Sequence, residues 1–187
     1  KGLVEYAKAN SDKVTVANAG IGAASHLCGM LFMSAINTQL TTVPYKGTGP
    51  ALTDLMGGQV DFMCDQTTNT TNQIKENKIK ADATTTPAAL AALPGVPTAN
   101  EAGLPNFNVG IWHGVYAPKG TPKETVDKLS AALQKALADP VVIERFASLG
   151  TVPVKAEEAT PAALEAKLKS EVARWKPVIE AAGQFAD

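Results

Sequence analysis

Val14-Thr15-Val16-Ala17-Asn18-Ala19-Gly20-Ile21-Gly22-Ala23-Ala24-Ser25 is a β-branched run that breaks at two glycines and opens a helix. Val14 to Ala17 has the composition of a short strand. Gly20 and Gly22 let the backbone turn tightly and approach a ligand closely. Leu27, Met30, Leu31 and Ser34 then recur at helical spacing as far as Ala35. A helix that starts at a strand end points its unpaired N–H groups and its positive dipole end at whatever lies there, which favours an anion. Ser25 is placed to act as N-cap or to donate its own hydroxyl. The stretch lacks the third glycine of a dinucleotide fingerprint and the acidic residue that follows it. A carboxylate-sized anion therefore fits better than a dinucleotide, although an ordinary tight strand–helix turn would read the same way.

The same rhythm continues downstream. Leu40 to Val43 reads as a strand and ends in Pro44-Tyr45-Lys46-Gly47. Pro50 to Met56 is a short helix stopped by Gly57-Gly58. Val60 to Cys64 is a third strand, ended by Asp65, and Thr68 to Asn77 follows as a helix. Ile79 to Thr85 reads as a strand with Asp82 awkwardly inside it, and Val109 to Tyr116 as another, carrying Trp112, which suits the core or, as the alternative, a pocket wall. Upstream, Leu3 to Asn10 is a short helix. Alternation of this kind predicts an α/β layer with a parallel-rich sheet flanked by helices. Strand-end loops of such sheets gather at the carboxyl edge, where ligands bind. That makes Tyr45, Lys46, Gly47 and Asp65 candidates beside the Gly22 to Ser25 turn. Asp65 suits a ligand hydroxyl or amine, or a cap on the following helix.

The C-terminal third is helical. Thr121-Pro122-Lys123-Glu124 has the form of a capping box, with Thr121 as N-cap. Val126, Leu129, Leu133 and Leu137 mark that helix's apolar face. Asp139-Pro140 opens a second helix, with Ile143, Phe146 and Leu149 facing inward and Gly150 stopping it. Thr160-Pro161 opens a third, striped by Leu164, Leu168, Val172 and Trp175, with Pro177 expected to kink or end it.

Composition narrows the function. The 187 residues carry 17 basic and 18 acidic side chains, a net charge of −1, which argues against a nucleic-acid partner. No apolar run reaches the ~18 residues of a membrane-spanning helix. The chain opens inside an amphipathic pattern without signal-peptide features, as a mature chain or a fragment would. Cys28 and Cys64 form no metal-ligand spacing; a disulfide is open, and two small buried hydrophobes is the simpler reading. His26 and His113 form no ligand pair, and no nucleophile elbow or Walker loop occurs. No cofactor, metal or enzymatic activity is expected.

Five ordered stretches carry a resemblance. They are Ala19-Gly20-Ile21-Gly22-Ala23-Ala24-Ser25-His26-Leu27, Val43-Pro44-Tyr45-Lys46-Gly47, Leu55-Met56-Gly57-Gly58-Gln59-Val60-Asp61, Leu93-Pro94-Gly95-Val96-Pro97-Thr98 with Glu101-Ala102-Gly103, and Ala117-Pro118-Lys119-Gly120-Thr121-Pro122. Together they resemble the substrate-binding receptors of tripartite tricarboxylate transporters, the TctC or Bug-type periplasmic proteins. The resemblance implies a two-lobed periplasmic binding protein of type II topology. It implies a small organic acid as ligand and a membrane permease as partner. Residues 1–108 would be the second ligand-binding lobe, and 109–187 a crossover strand with C-terminal helices of the other, incomplete lobe. A ligand carboxylate would sit on Gly22, Ala23, Ala24 and Ser25, with Tyr45, Lys46, Gly47 and Asp65 lining the same cleft edge. The chain departs from the family pattern at Ala23, where a hydroxyl residue is usual, at Asp82, and in beginning late. The apolar C-terminal helices would then need cover, and a homodimer through them is expected. Two other readings share parts of the pattern. One is the effector-binding domain of a transcriptional regulator. The other is a small hydrolase using Ser25, His26 or Asp65.

Overall fold

The computed structural model describes residues 2–182. Its elements run α1 (Gly2–Ala9), β1 (Thr15–Asn18), α2 (Ala24–Ala35), β2 (Thr41–Pro44), α3 (Thr48–Met56), β3 (Phe62–Met63), α4 (Thr67–Lys75), α5 (Lys123–Leu137), α6 (Pro140–Ser148) and α7 (Pro161–Ala182). The three strands form one parallel sheet in the order β2-β1-β3, with Val16 opposite Thr42 and Phe62.

Burial explains the layering. β1 lies in the middle, and Val16, Ala17 and Asn18 are all buried, as expected of a strand covered on both faces. Val16 packs with Cys28, Met30, Phe32 and Met33 of α2, and Gly29 lets that helix approach Val16 closely. Ala17 packs with Ala51 of α3 and with Val60 on the opposite face. Phe32 meets the rings of Phe62 and Phe107 edge-on, at 5.3 and 6.2 Å between centroids. Truncating a buried phenylalanine of this kind to alanine costs about 3–5 kcal/mol.

Helix ends follow their residues. α2, α3, α4 and α6 each stop in a left-handed residue, Asn37, Gly58, Asn77 and Gly150. In each, the last turn closes with the paired backbone bonds of a Schellman motif, such as Thr151 N–H to Phe146 O and Gly150 N–H to Ala147 O. Asp139 caps α6 through Val141 N–H, and Thr160 accepts from Ala163 N–H at the start of α7.

Several sequence expectations are corrected. Val109–Tyr116 is not a strand, and no ladder partner for it exists among the described residues. Its backbone bonds with Thr85: Val109 N–H donates to Thr85 O, and the Thr85 hydroxyl donates to Val109 O. Ile79–Thr85 does not join the sheet either. An open groove of about 1,090 Å³ separates it from β3, and Thr84 pairs instead with Pro97, Thr98 and Ala99. The Thr121 capping box does not form. α5 starts at Lys123 behind Pro122, and the Thr121 hydroxyl donates to Pro118 O. A Thr-x-x-Glu box does form elsewhere: Thr98 N–H and hydroxyl donate to Glu101, whose N–H returns to Thr98 Oγ1. α7 continues through Pro177. The two cysteines are bonded, Cys28 of α2 to Cys64 at the end of β3. Trp112 is only half-buried and lines a small cavity of about 170 Å³ with Ala24, Leu27 and Trp175. Ile143, Leu129, Leu133, Leu168 and Val172 are exposed, so the helical stripes face outward over much of their length.

Candidate functional site: the carboxyl edge of the sheet

All three strands run parallel, so their carboxyl ends share one edge. Three loops lie there, 19–23, 45–47 and 64–66, and each feeds a helix: α2, α3 and α4. α2 and α3 leave toward opposite faces of the sheet, the arrangement that opens a crevice outside the strand ends.

The loops are tied to one another. Tyr45 N–H donates to Asn18 O at 2.9 Å, and Gly47 N–H to Ala19 O at 3.1 Å. Gly20 has φ +122, and a Cβ there would meet Tyr45 O at 3.2 Å, so this crossing point needs glycine. Within the first loop, Ala19 N–H donates to Ser25 Oγ, Gly20 N–H to Asn18 Oδ1 and Gly22 N–H to His26 Nδ1. The last of these bonds requires the His26 lone pair on Nδ1.

Ser25 is therefore not the N-cap. Ala23 is, and Ser25 is buried with its oxygen committed to the loop. Ser25 Oγ and His26 Nδ1 both serve as acceptors for the loop backbone. Gly22 is exposed, and Ala23 and Ala24 are half-buried.

None of α2, α3 or α4 carries a side-chain cap. α6 has Asp139, and α5, away from this edge, also lacks a side-chain cap. The N–H groups of Ala24, Ser25, Thr48, Gly49, Thr67 and Thr68 have no hydrogen-bond partner among the described residues. They are the orphan donors of three helix starts along one edge, each at the positive end of its helix dipole.

Tyr45 serves the scaffold. Its hydroxyl donates to Asp54 Oδ2 of α3 at 2.7 Å, and this bond holds its pKa above the ordinary tyrosine value. Lys46 is exposed at the tip of the loop. Asp65 is half-buried between α3 and α4. It accepts from Gln66 N–H at 2.8 Å and from Asn69 Nδ2 at 3.3 Å, and Asn69 also reaches Thr48 Oγ1. Burial pushes the Asp65 carboxyl above its ordinary range, against the lowering effect of Gln66, Asn69 and Thr48. Asp65 sits one residue before the α4 N-cap, Gln66, so it does not cap that helix. Asn69, which opens an Asn-Thr-Thr glycosylation sequon, and Thr48 carry no ligand-site signal in the sequence. Only their positions, one turn into α4 and first in α3, mark them.

The family model for the tripartite tricarboxylate transporter family receptor matches residues 1–184. The chain belongs to this family. A protein of Agrobacterium vitis from the TAR-I ttuE-ttuC' intergenic region is 56% identical over 182 residues, which is 97% of this chain and 53% of that protein. The chain spans about half the length of the first curated relatives it matches. The solved structure of the periplasmic binding protein BugD superposes with a TM-score of 0.91 at 54% identity, covering 99% of this chain and 62% of that one. MatC of Rhodopseudomonas palustris, solved with bound malate, superposes at 0.90 with 40% identity, covering 95% of this chain and 60% of its own. The fold is that of the periplasmic binding proteins, as the resemblance of the five sequence stretches implied.

Proposed function

We propose that this chain is the ligand-gripping part of an extracytoplasmic receptor that captures a small organic acid for a tripartite tricarboxylate transporter. The observation that carries the reading is the trio of uncapped helix starts along one sheet edge. Their free N–H groups suit a carboxylate's oxygens without any basic side chain. The malate held by MatC makes a hydroxylated dicarboxylate the first ligand to test. Gly22, Ala23 and Ala24 would take one carboxylate through backbone contacts, with Ser25 N–H beside them. Gly47 and the start of α3 would extend the donor row, and Lys46 would add charge at the mouth.

Asp65 would select against a carboxylate and for a hydroxyl or amine, because it accepts hydrogen bonds and repels a like charge. The Cys28–Cys64 disulfide suits an oxidising compartment, which supports a periplasmic location. Among the described residues, no helix is long and apolar enough to cross a membrane. Residues 109–187 would belong to the other, incomplete lobe, and a membrane permease would receive the ligand. In this reading the protein binds and releases its ligand unchanged.

Calorimetric titration of malate and of succinate into the protein and into Asp65→Ala tests it. Malate affinity should fall about fivefold more than succinate affinity, the size of one hydrogen bond. Equal loss for both acids would make Asp65 a structural residue and remove it from the site.

A further inference from the structure

α4 is a poor helix by composition. Of its nine residues, four are threonine and two asparagine. These residues compete with the backbone for hydrogen bonds, and a helix this short is marginal alone. It has no side-chain N-cap. Its order must come from its neighbours.

One neighbour is the end of α6. Thr67, Thr71 and Lys75 lie four residues apart on one stripe of α4. Their side chains donate to three consecutive carbonyls: Thr67 to Gly150 O at 3.1 Å, Thr71 to Leu149 O at 3.2 Å and Lys75 to Ser148 O at 3.4 Å. These are the α6 carbonyls left over after its Schellman motif has used Phe146 O and Ala147 O. Thr71 is fully buried, and Gly150 approaches so closely that a Cβ would lie 3.2 Å from Thr67 Cβ. Lys75 adds a cation beside the negative end of the α6 dipole.

The other neighbour is the sheet edge. Asn69 binds Asp65 and Thr48 there, and the Thr67 and Thr68 N–H groups belong to the donor row. Thr67 stands in both sets, one residue serving the clasp with its hydroxyl and the edge with its N–H.

We propose that α4 is a conditionally ordered helix that the α6 end completes, so that the clasp sets the order of the donor row at the edge. Two events that order the same segment favour each other, because the second meets less conformational entropy to remove. Carboxylate bound at the α4 start, which rests on the functional reading above, therefore tightens the α4–α6 clasp, and the clasp tightens the ligand. α6 has no buried residue of its own, so this clasp governs how firmly the α5–α6 pair is held.

Amide hydrogen exchange tests the proposal on the ligand-free protein first. Thr71→Val should speed exchange about fivefold across both the hydrogen-bonded amides 69–71 and 149–151, the effect of one lost bond, and Thr71→Ser should restore it. Gly150→Ala, which presses on Thr67 from the α6 side, should do the same. Faster exchange at 149–151 with 69–71 unchanged would overturn the linkage, as would no change at either. Malate is then added to the wild-type protein. Slower exchange at both segments is expected. Malate that shifts the α2 amides without slowing 149–151 refutes the linkage and leaves the functional reading intact. Malate that shifts no edge amide refutes the functional reading, and the ligand-free comparison still decides the clasp.

Discussion

Removing the Cys28–Cys64 disulfide should cost the fold more than any single packing change at the sheet edge. The bond closes a loop of 36 residues' separation and ties α2 to the end of β3. Loop-closure entropy for that length corresponds to about 4 kcal/mol at 25 °C in the chain-entropy account. β3 is only two residues long, paired to Val16 and Ala17, so few backbone bonds compensate when the tie is lost. For a chain of this size about 4 kcal/mol lowers Tm by roughly 8–16 °C. The double variant Cys28→Ala/Cys64→Ala, and the wild-type protein with reductant, should show this shift in far-ultraviolet circular dichroism melts. Denaturant melts should place the midpoint lower by a matching amount. The double variant should be indifferent to reductant. A wild-type Tm that moves by less than about 2 °C on complete reduction would refute the reasoning.

Two further outcomes follow from charge and exposure. Asp65→Asn should raise stability at neutral pH, by about 1 kcal/mol or less once solvent screening is counted, because burial holds the folded-state pKa of Asp65 above its ordinary value. The sign is fixed by linkage: the protonated form is favoured in the fold, so its contribution is complete below the ordinary carboxylate range and is lost as pH rises through the raised pKa. Melts of wild type and variant should therefore converge below about pH 4 and separate above it. Self-association should appear in sedimentation, because Leu129, Leu133, Val141, Ile143, Leu168 and Val172 are exposed on the C-terminal helices, Val141 at 74%. Leu129→Lys with Val141→Lys should shift the population toward monomer, and an unchanged distribution would move the contact elsewhere.

What could be read in advance divides along physical lines. Period and punctuation are local, so β1, β2, α2 and α3 fell where their apolar rhythm and end signals put them. Gly57-Gly58, Gly150 and Asp139-Pro140 performed the terminations and cap that their chemistry predicts. A strand also needs a partner. Ile79–Thr85 and Val109–Tyr116 have strand-like residues, yet their backbone bonds go to 97–99 and to each other rather than to the sheet. The disulfide stood only as an open alternative, since two cysteines 36 residues apart cannot be paired until α2 and β3 are seen to meet. At the edge, the loops were legible from Gly20, Gly22 and Gly47. Their hydrogen-bond assignments were not: Ser25 turned inward to Ala19, and Tyr45 turned to Asp54. Both depend on pairs that folding brings together. The Thr67, Thr71 and Lys75 stripe shows helical spacing in the sequence, but nothing there says that three carbonyls of α6 would face it.

The central claim is that a carboxylate sits on the uncapped starts of α2, α3 and α4. Nitrogen-15 amide shifts during a malate titration at constant ionic strength test it most directly. The account predicts saturable shifts, with affinity in about the millimolar range for a single cleft wall, centred on Gly20 to Ser25, Lys46 to Gly49 and Gln66 to Asn69. Dimethyl malate, which lacks the charge, should leave those amides unmoved. Saturable shifts confined to the cavity beside Trp112 and Trp175, or equal shifts with the diester, would contradict it.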